Sequence, residues 1–241
     1  MSLLAERSWS DLVDRRPTVL LPLGACEQHG PHLPLDTDSV IAGEVAERAV
    51  SRLSGEIDAL LAPAQPYAAS GEHEGFPGTV SIGHRALTLL LVELGRSMSR
   101  WAHKLVVVNG HGGNHASVEA AVSGLRREGR DVAWWQCGVS GGDAHAGRTE
   151  TSLMCALRRD SVRVEHAREG RTEPLRELMP ELTAKGVVGV SSNGVLGDPV
   201  GSSAAEGAGA LARMVEQLAT AVAEWQVEDG FLRSASRGTN S

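Results

Sequence analysis

Residues 18–38 read Thr-Val-Leu-Leu-Pro-Leu-Gly-Ala-Cys-Glu-Gln-His-Gly-Pro-His-Leu-Pro-Leu-Asp-Thr-Asp. Thr18 to Leu23 is an apolar run of the kind a buried strand needs, and Gly24 stops it. Glu27, His29, His32, Asp36 and Asp38 follow within a few turns of chain. Packing gives no reason to gather carboxylates and imidazoles straight after a buried strand, whereas holding a metal does. Glu27 and His29 are two residues apart, so extended backbone points them to the same side. The Gly-Pro and Leu-Pro pairs force a turn that can return Asp38 to the same point. Asp36 or Asp38 is also placed to cap the helix that follows.

Outward from this stretch, strand and helix patterns alternate. Residues 8–15 read as a short Ser-capped helix. The spacing of Ile41, Val45, Ala49 and Leu53 predicts a helix over 38–53. A short strand at 58–62 leads to a polar, Gly-rich loop, 65–83, long enough to expect a function for it. A helix over 85–101 precedes Lys104–Val108, whose Val-Val-Val core is the buried parallel type. Asn109-Gly-His-Gly-Gly-Asn-His115 then opens a helix to Arg127. A strand at 132–136 contains Trp134 and Trp135. A second polar loop, 141–151, leads into a helix over 152–159. Residues 186–191 read as a short strand, 193–203 as a Gly-rich loop and 204–225 as a long helix. The expected fold is α/β: a single-domain three-layer sandwich, residues 1–232, with a mostly parallel sheet and helices on both faces. Residues 233–241 read as a disordered tail.

Composition narrows the function. At 241 residues with 41% hydrophobic content the chain supports one real core. A net charge of −7 without a basic run argues against nucleic acid. No apolar run approaches the ~20 residues of a membrane span, and the first residues lack the order of a signal peptide. Cys26, Cys137 and Cys155 form no C-x-x-C pair, which fits a reducing cytoplasm. They read as small buried hydrophobes, with thiol ligation by Cys26 as the lesser alternative.

In a parallel sheet, ligands gather beyond the carboxyl ends of the strands. Glu27 and His29 follow the first strand, His111 follows the Val-Val-Val strand, and His145 and Glu150 follow the Trp-Trp strand. A lone histidine is usually a satisfied structural group, but three strand ends delivering acids and imidazoles to one rim make a site. The donors are nitrogen and oxygen only, which suits zinc, iron(II) or manganese without choosing among them. In the long loop, Glu72, His73 and Glu74 are either a second metal cluster or, with Phe76, a substrate-facing wall. Trp134 and Trp135 either pack on substrate or fill the core.

Glu27-Gln-His-Gly-Pro-His-Leu-Pro34 with Asp36-Thr-Asp38, Asn109-Gly-His-Gly-Gly-Asn114 and His145-Ala-Gly-Arg-Thr-Glu-Thr-Ser152 together resemble the creatininase family of metal-dependent amide hydrolases, over residues 8 to 225. The resemblance implies two divalent ions per subunit. Glu27, Asp38 and His111 would hold one, and His29, Asp38 and Glu150 the other, with Asp38 bridging. Creatininases proper carry a Glu at the position of Gly113; Glu150 is expected to supply the missing carboxylate. His32, Asp36 and His115 are left as spare ligands, partners behind the ligands or structural groups.

A water activated between the ions would attack an amide carbonyl, with His145 moving the proton to the leaving nitrogen. Ala144-His-Ala-Gly-Arg-Thr-Glu-Thr-Ser-Leu-Met154 and Asn193-Gly-Val-Leu-Gly-Asp-Pro199 resemble family members that cleave a ribosomally made precursor peptide after its C-terminal end is modified. The other substrates in view are creatinine or a formamide intermediate of cofactor synthesis. A metal-stabilised scaffold without turnover is the non-enzyme alternative, although structural zinc sites are usually cysteine-rich and closed. The resemblance also implies a homo-oligomer; loops 65–83 and 193–203 are the contact surfaces expected for it.

Overall fold

The computed structural model describes residues 3–234. β1 (Thr18–Leu23) lies between β2 (Ala59–Leu61) and β3 (Lys104–Asn109) and pairs parallel with both. β4 (Val132–Gln136) runs parallel to β3. β5 (Gln226–Glu228) and β6 (Phe231–Arg233) form a hairpin that docks through β6, parallel to β4. The sheet order is therefore β2-β1-β3-β4-β6-β5. The helices are α1 (Thr37–Arg52), α2 (Gly83–Met98), α3 (His115–Arg127), α4 (Arg148–Leu157), α5 (Leu175–Val190) and α6 (Ala204–Glu224).

Both faces of the sheet are covered, which is why β1 and β3 read as continuous apolar runs. Successive side chains alternate between two cores. Leu20, Val106, Val108 and Trp135 pack with α1, α4 and α6. Val19, Leu21, Val107 and Trp134 pack with α2 and α3. This is the expected three-layer arrangement. Among the described residues no helix is long and apolar enough to cross a membrane, and the three cysteines are unpaired.

Several local expectations need correction. Of the segment expected as a strand at 186–191, all but Ser191 belongs to α5, whose path breaks at Gly186, with φ of 66°. The break lets the helix pass the Glu72 backbone, whose carbonyl oxygen would lie 3.0 Å from any Cβ at 186. Helix α4 starts four residues earlier than its apolar pattern indicates. Asp143 accepts from the backbone N–H groups of Arg148 and Thr149, so the Gly-rich end is capped from outside. The first helix is only a 3₁₀ turn, Trp9–Leu12, closed by a Ser8–Asp11 capping box. The hairpin of β5 and β6 went unread because each strand has three residues. Arg233, assigned to the tail, ends β6; residues 235–241 of that tail lie outside the described residues.

Candidate metal centre

The loop after β1, the first turn of α1, the turn after β3 and the loop into α4 meet at the carboxyl edge of the sheet. Asn109 and Asn114 tie these segments together. Asn109 Nδ2 donates to His111 O at 2.7 Å, and Asn114 Nδ2 donates to Gly24 O at 3.0 Å. Asn114 Oδ1 accepts from Ala69 N at 3.1 Å, which draws in the long 65–83 loop. Gly110 is required by close approach, since a Cβ there would lie 2.6 Å from Asp38 O. Neither acid caps α1 through its side chain. Asp36 pairs outward with Arg158 at 2.9 Å, and Asp38 turns inward.

The buried cluster is dense. His29 Nε2 lies 3.1 Å from Asp38 Oδ1 and 3.8 Å from Glu150 Oε2. His111 Nδ1 lies 3.1 Å from Glu27 Oε1 and 3.5 Å from Asp38 Oδ2. His145 Nδ1 stands 3.8 Å from Glu27 Oε1. In each ring the other nitrogen meets a backbone carbonyl. His29 Nδ1 is 3.2 Å from Glu27 O, His111 Nε2 is 3.1 Å from Ala69 O, and His145 Nε2 is 2.9 Å from Gln28 O. A carbonyl accepts only, so the outer nitrogen carries the proton of the neutral ring and the inner one offers a lone pair. Metal-binding histidines are oriented in this way.

Burial and charge pull the cluster in opposite directions. Burial opposes the charge on His29, but Asp38, Glu150 and Glu27 push its pKa up to about 10. His111 rises well above the ordinary value despite burial, chiefly through Glu27, and Glu27 falls well below its own. Burial lifts Glu150 to about 7, and burial with the nearby His29 holds His145 well below the usual imidazole value. Both oxygens of Glu27 and Oδ2 of Asp38 are buried without a hydrogen-bond partner. Unsatisfied buried carboxylate oxygens facing imidazole nitrogens are what a cation would complete. Three donor sets each lie within 4.8 Å: Glu27, His73 and His145; His29, His145 and Glu150; Glu27, His29 and Asp38. The residues present therefore fit a divalent ion with nitrogen and oxygen ligands.

Beside the cluster opens a cavity of about 420 Å³. Its polar wall includes Asp38, Glu72, His73, His111, His145 and Glu150, and α5 faces it with Leu175, Met179, Leu182 and Val187. Sequence reasoning missed this apolar wall because Pro180 and the charged flanks hid the helix. It also missed His84, which lines the cavity and lies 3.0 Å from Ser117 Oγ.

The remaining candidates separate cleanly. His73, expected on a substrate wall, sits inside the cluster, with Nε2 3.4 Å from Glu27 Oε1. Glu72 reaches His111 Nε2 at 3.3 Å, while Glu74 is exposed. Phe76 is half-buried and does not line the cavity. Trp134 and Trp135, expected to pack on substrate or fill the core, are core residues on opposite faces of the sheet and neither lines the cavity. His32 is buried against Thr151 Oγ1 at 2.8 Å, and burial lowers its pKa to about 4. His115 is exposed, 4.8 Å from the Trp134 ring and outside the cluster. The Cys26 thiol faces Gly78 O at 3.8 Å and is pushed up by burial.

The family model described as creatinine amidohydrolase matches residues 5–222. A mycofactocin precursor peptide peptidase of Mycolicibacterium smegmatis is 53% identical over 212 residues, 87% of this chain and 86% of that one. One of the same name from Mycobacterium tuberculosis is 49% identical over 236 residues, covering 95% and 94%. A solved manganese creatininase superposes with a TM-score of 0.75 at 26% identity, covering 93% of this chain and 98% of its own. The chain belongs to the creatininase family.

Proposed function

We propose that this chain is a metal-dependent hydrolase of amide bonds whose substrate is a precursor peptide with a modified C-terminal end. The observation that carries the reading is the cluster itself: imidazole nitrogens and partnerless carboxylate oxygens converge beside a cavity with one apolar wall. Identity of about half to named precursor peptide peptidases over most of both chains supports the substrate class. Glu27, Asp38 and His111 would hold one divalent ion, and His29, Asp38 and Glu150 a second. When bound, the ions supply Lewis acidity to the amide carbonyl and to the attacking water. His145, with a lone pair directed inward, takes up a proton at Nδ1 and returns it to the leaving nitrogen. The apolar wall of α5 holds a bulky side chain next to the scissile bond, and burial of the cluster keeps bulk water from the charges.

Zinc, iron(II) and manganese all suit these donors. The reading includes a reducing cytoplasmic setting, supported by the three unpaired cysteines. It also includes a homo-oligomer, supported by exposed Tyr67, Val80 and Val200 on the two long loops; sedimentation as a 25.4 kDa monomer at micromolar concentration would refute that part. The deciding assay incubates the metal-loaded protein side by side with the modified precursor peptide and with creatinine, read by mass. Cleavage near the peptide's C-terminus with little creatinine turnover is expected. Efficient creatinine hydrolysis beside an untouched peptide overturns the peptidase reading.

A further inference from the structure

Four imidazoles stand around Glu27, and one of them is wired differently. His29, His111 and His145 each place a backbone carbonyl against the outer nitrogen. His73 instead has Gln28 Nε2 against its outer nitrogen, Nδ1, at 2.8 Å. Gln28 is buried at 5% exposure, and neighbours fix the orientation of its amide. Oε1 accepts from Gly30 N at 2.9 Å, so the other end must be the donor. Its two hydrogens have two takers: His73 Nδ1, and Gly194 O at 3.0 Å.

We infer that Gln28 is a positioning residue that sets the proton positions of two of these imidazoles, so that His145 presents a lone pair to the cluster and His73 an N–H. His73 Nδ1 receives the Gln28 N–H and is therefore bare, which leaves the ring proton on Nε2, the nitrogen 3.4 Å from Glu27 Oε1. His145 Nε2 lies 2.9 Å from the Gln28 backbone carbonyl and 3.1 Å from the Gln28 side-chain nitrogen. A bare Nε2 would set its lone pair against that carbonyl and leave Gly194 O short of a donor. A protonated Nε2 satisfies both carbonyls at once, so His145 Nδ1 is the bare nitrogen. Gly194 makes the arrangement possible: at φ of 77°, any Cβ there would overlap Gln28 Oε1.

Of the two imidazoles in the donor set Glu27, His73 and His145, then, only His145 can give a lone pair to a cation or a proton without breaking the Gln28 network. On the hydrolase reading, His145 enters the reaction as a base, and His73 holds Glu27 in place; the proton positions themselves are independent of that reading.

The test is nitrogen-15 histidine spectroscopy of the full chain, metal-free and zinc-loaded, with His73→Gln and His145→Gln for assignment. His73 is expected to show a pyridine-type Nδ1 and a pyrrole-type Nε2, and His145 the reverse pattern in the metal-free protein. Gln28→Glu replaces the donor with an acceptor, so His73 should gain a proton on Nδ1. A pyrrole-type His73 Nδ1 in the wild type, loss of the Nε2 proton on zinc loading, or an unchanged His73 in a folded Gln28→Glu variant overturns the inference. If that variant does not fold, the wild-type spectra still decide. These spectra are read without turnover, so a failed peptidase assay leaves them standing.

Discussion

The carboxylate of Glu72 occupies the space that a side chain on Gly113 would fill. A Cβ built on Gly113 would overlap both Glu72 Oε1 and His111 Nε2. Glu72 lies 3.3 Å from His111 Nε2 and joins Ala69 O behind the ring. A carboxylate is thus delivered to the Gly113 position from the 3₁₀ turn at 71–73, whereas Glu150, expected to supply it, stands on the His29 side. Such partners typically contribute 10–100-fold in metal affinity. Glu72→Gln is therefore expected to weaken metal binding by about that factor. Gly113→Ala, which displaces the carboxylate and crowds the ring, should weaken it as well. Calorimetric titration of the metal-free protein checks both; wild-type affinity in both variants would contradict the role.

Asp38 faces His29 through one oxygen and His111 through the other. Asp38→Ala should lose all bound metal while keeping its circular dichroism spectrum. Glu150→Gln, at the His29 side only, should lose one ion selectively. Metal analysis after desalting checks both. Full metal content in Asp38→Ala would remove the bridging assignment.

Metal uptake should depend steeply on pH. Asp38 and its neighbours push His29 up to about 10, and Glu27 raises His111. Both rings are therefore protonated in the metal-free protein at neutral pH, and a cation must displace those protons. Affinity should rise with pH from neutrality upward as both rings lose their protons, His29 at about 10. Loading at pH 7 in weak buffer should release protons, and acid-free loading there would contradict the assigned charges.

His145→Ala should lower kcat by about 10²–10⁴, the usual worth of a positioned acid–base group. The nearer metal donors are untouched, so metal content should stay at the wild-type level. A rate that survives the substitution would move the proton-transfer role elsewhere, with Glu150, at about 7, next in line.

Trp135→Ala should act on stability. Removing a buried aromatic costs about 3–5 kcal/mol, and Trp135 is 6% exposed. Urea melts should show the loss. A variant of wild-type stability with a raised KM would return Trp135 to the substrate wall.

The donor types, their order and their attachment to strand ends were legible in residues 18–38, 104–115 and 145–150. Apolar runs with both faces covered, followed at once by acids and imidazoles, leave little else to infer, because period and turn chemistry are local properties. What stayed hidden was decided by contacts distant in sequence. Trp134 and Trp135 differ by one residue, yet both are core, because helices cover both faces of the sheet. The helix α5 and its apolar wall were obscured by Pro180 and Gly186, and only packing against the 71–73 turn explains them. Glu72 and Gly113 lie 41 residues apart, as their numbers show, and no spacing rule relates them. Nor could sequence say which nitrogen of each imidazole faces inward. That choice rests on where Ala69, Gln28 and Gly194 place their carbonyls, because a hydrogen bond is fixed by the position of both partners and the chain names only one at a time.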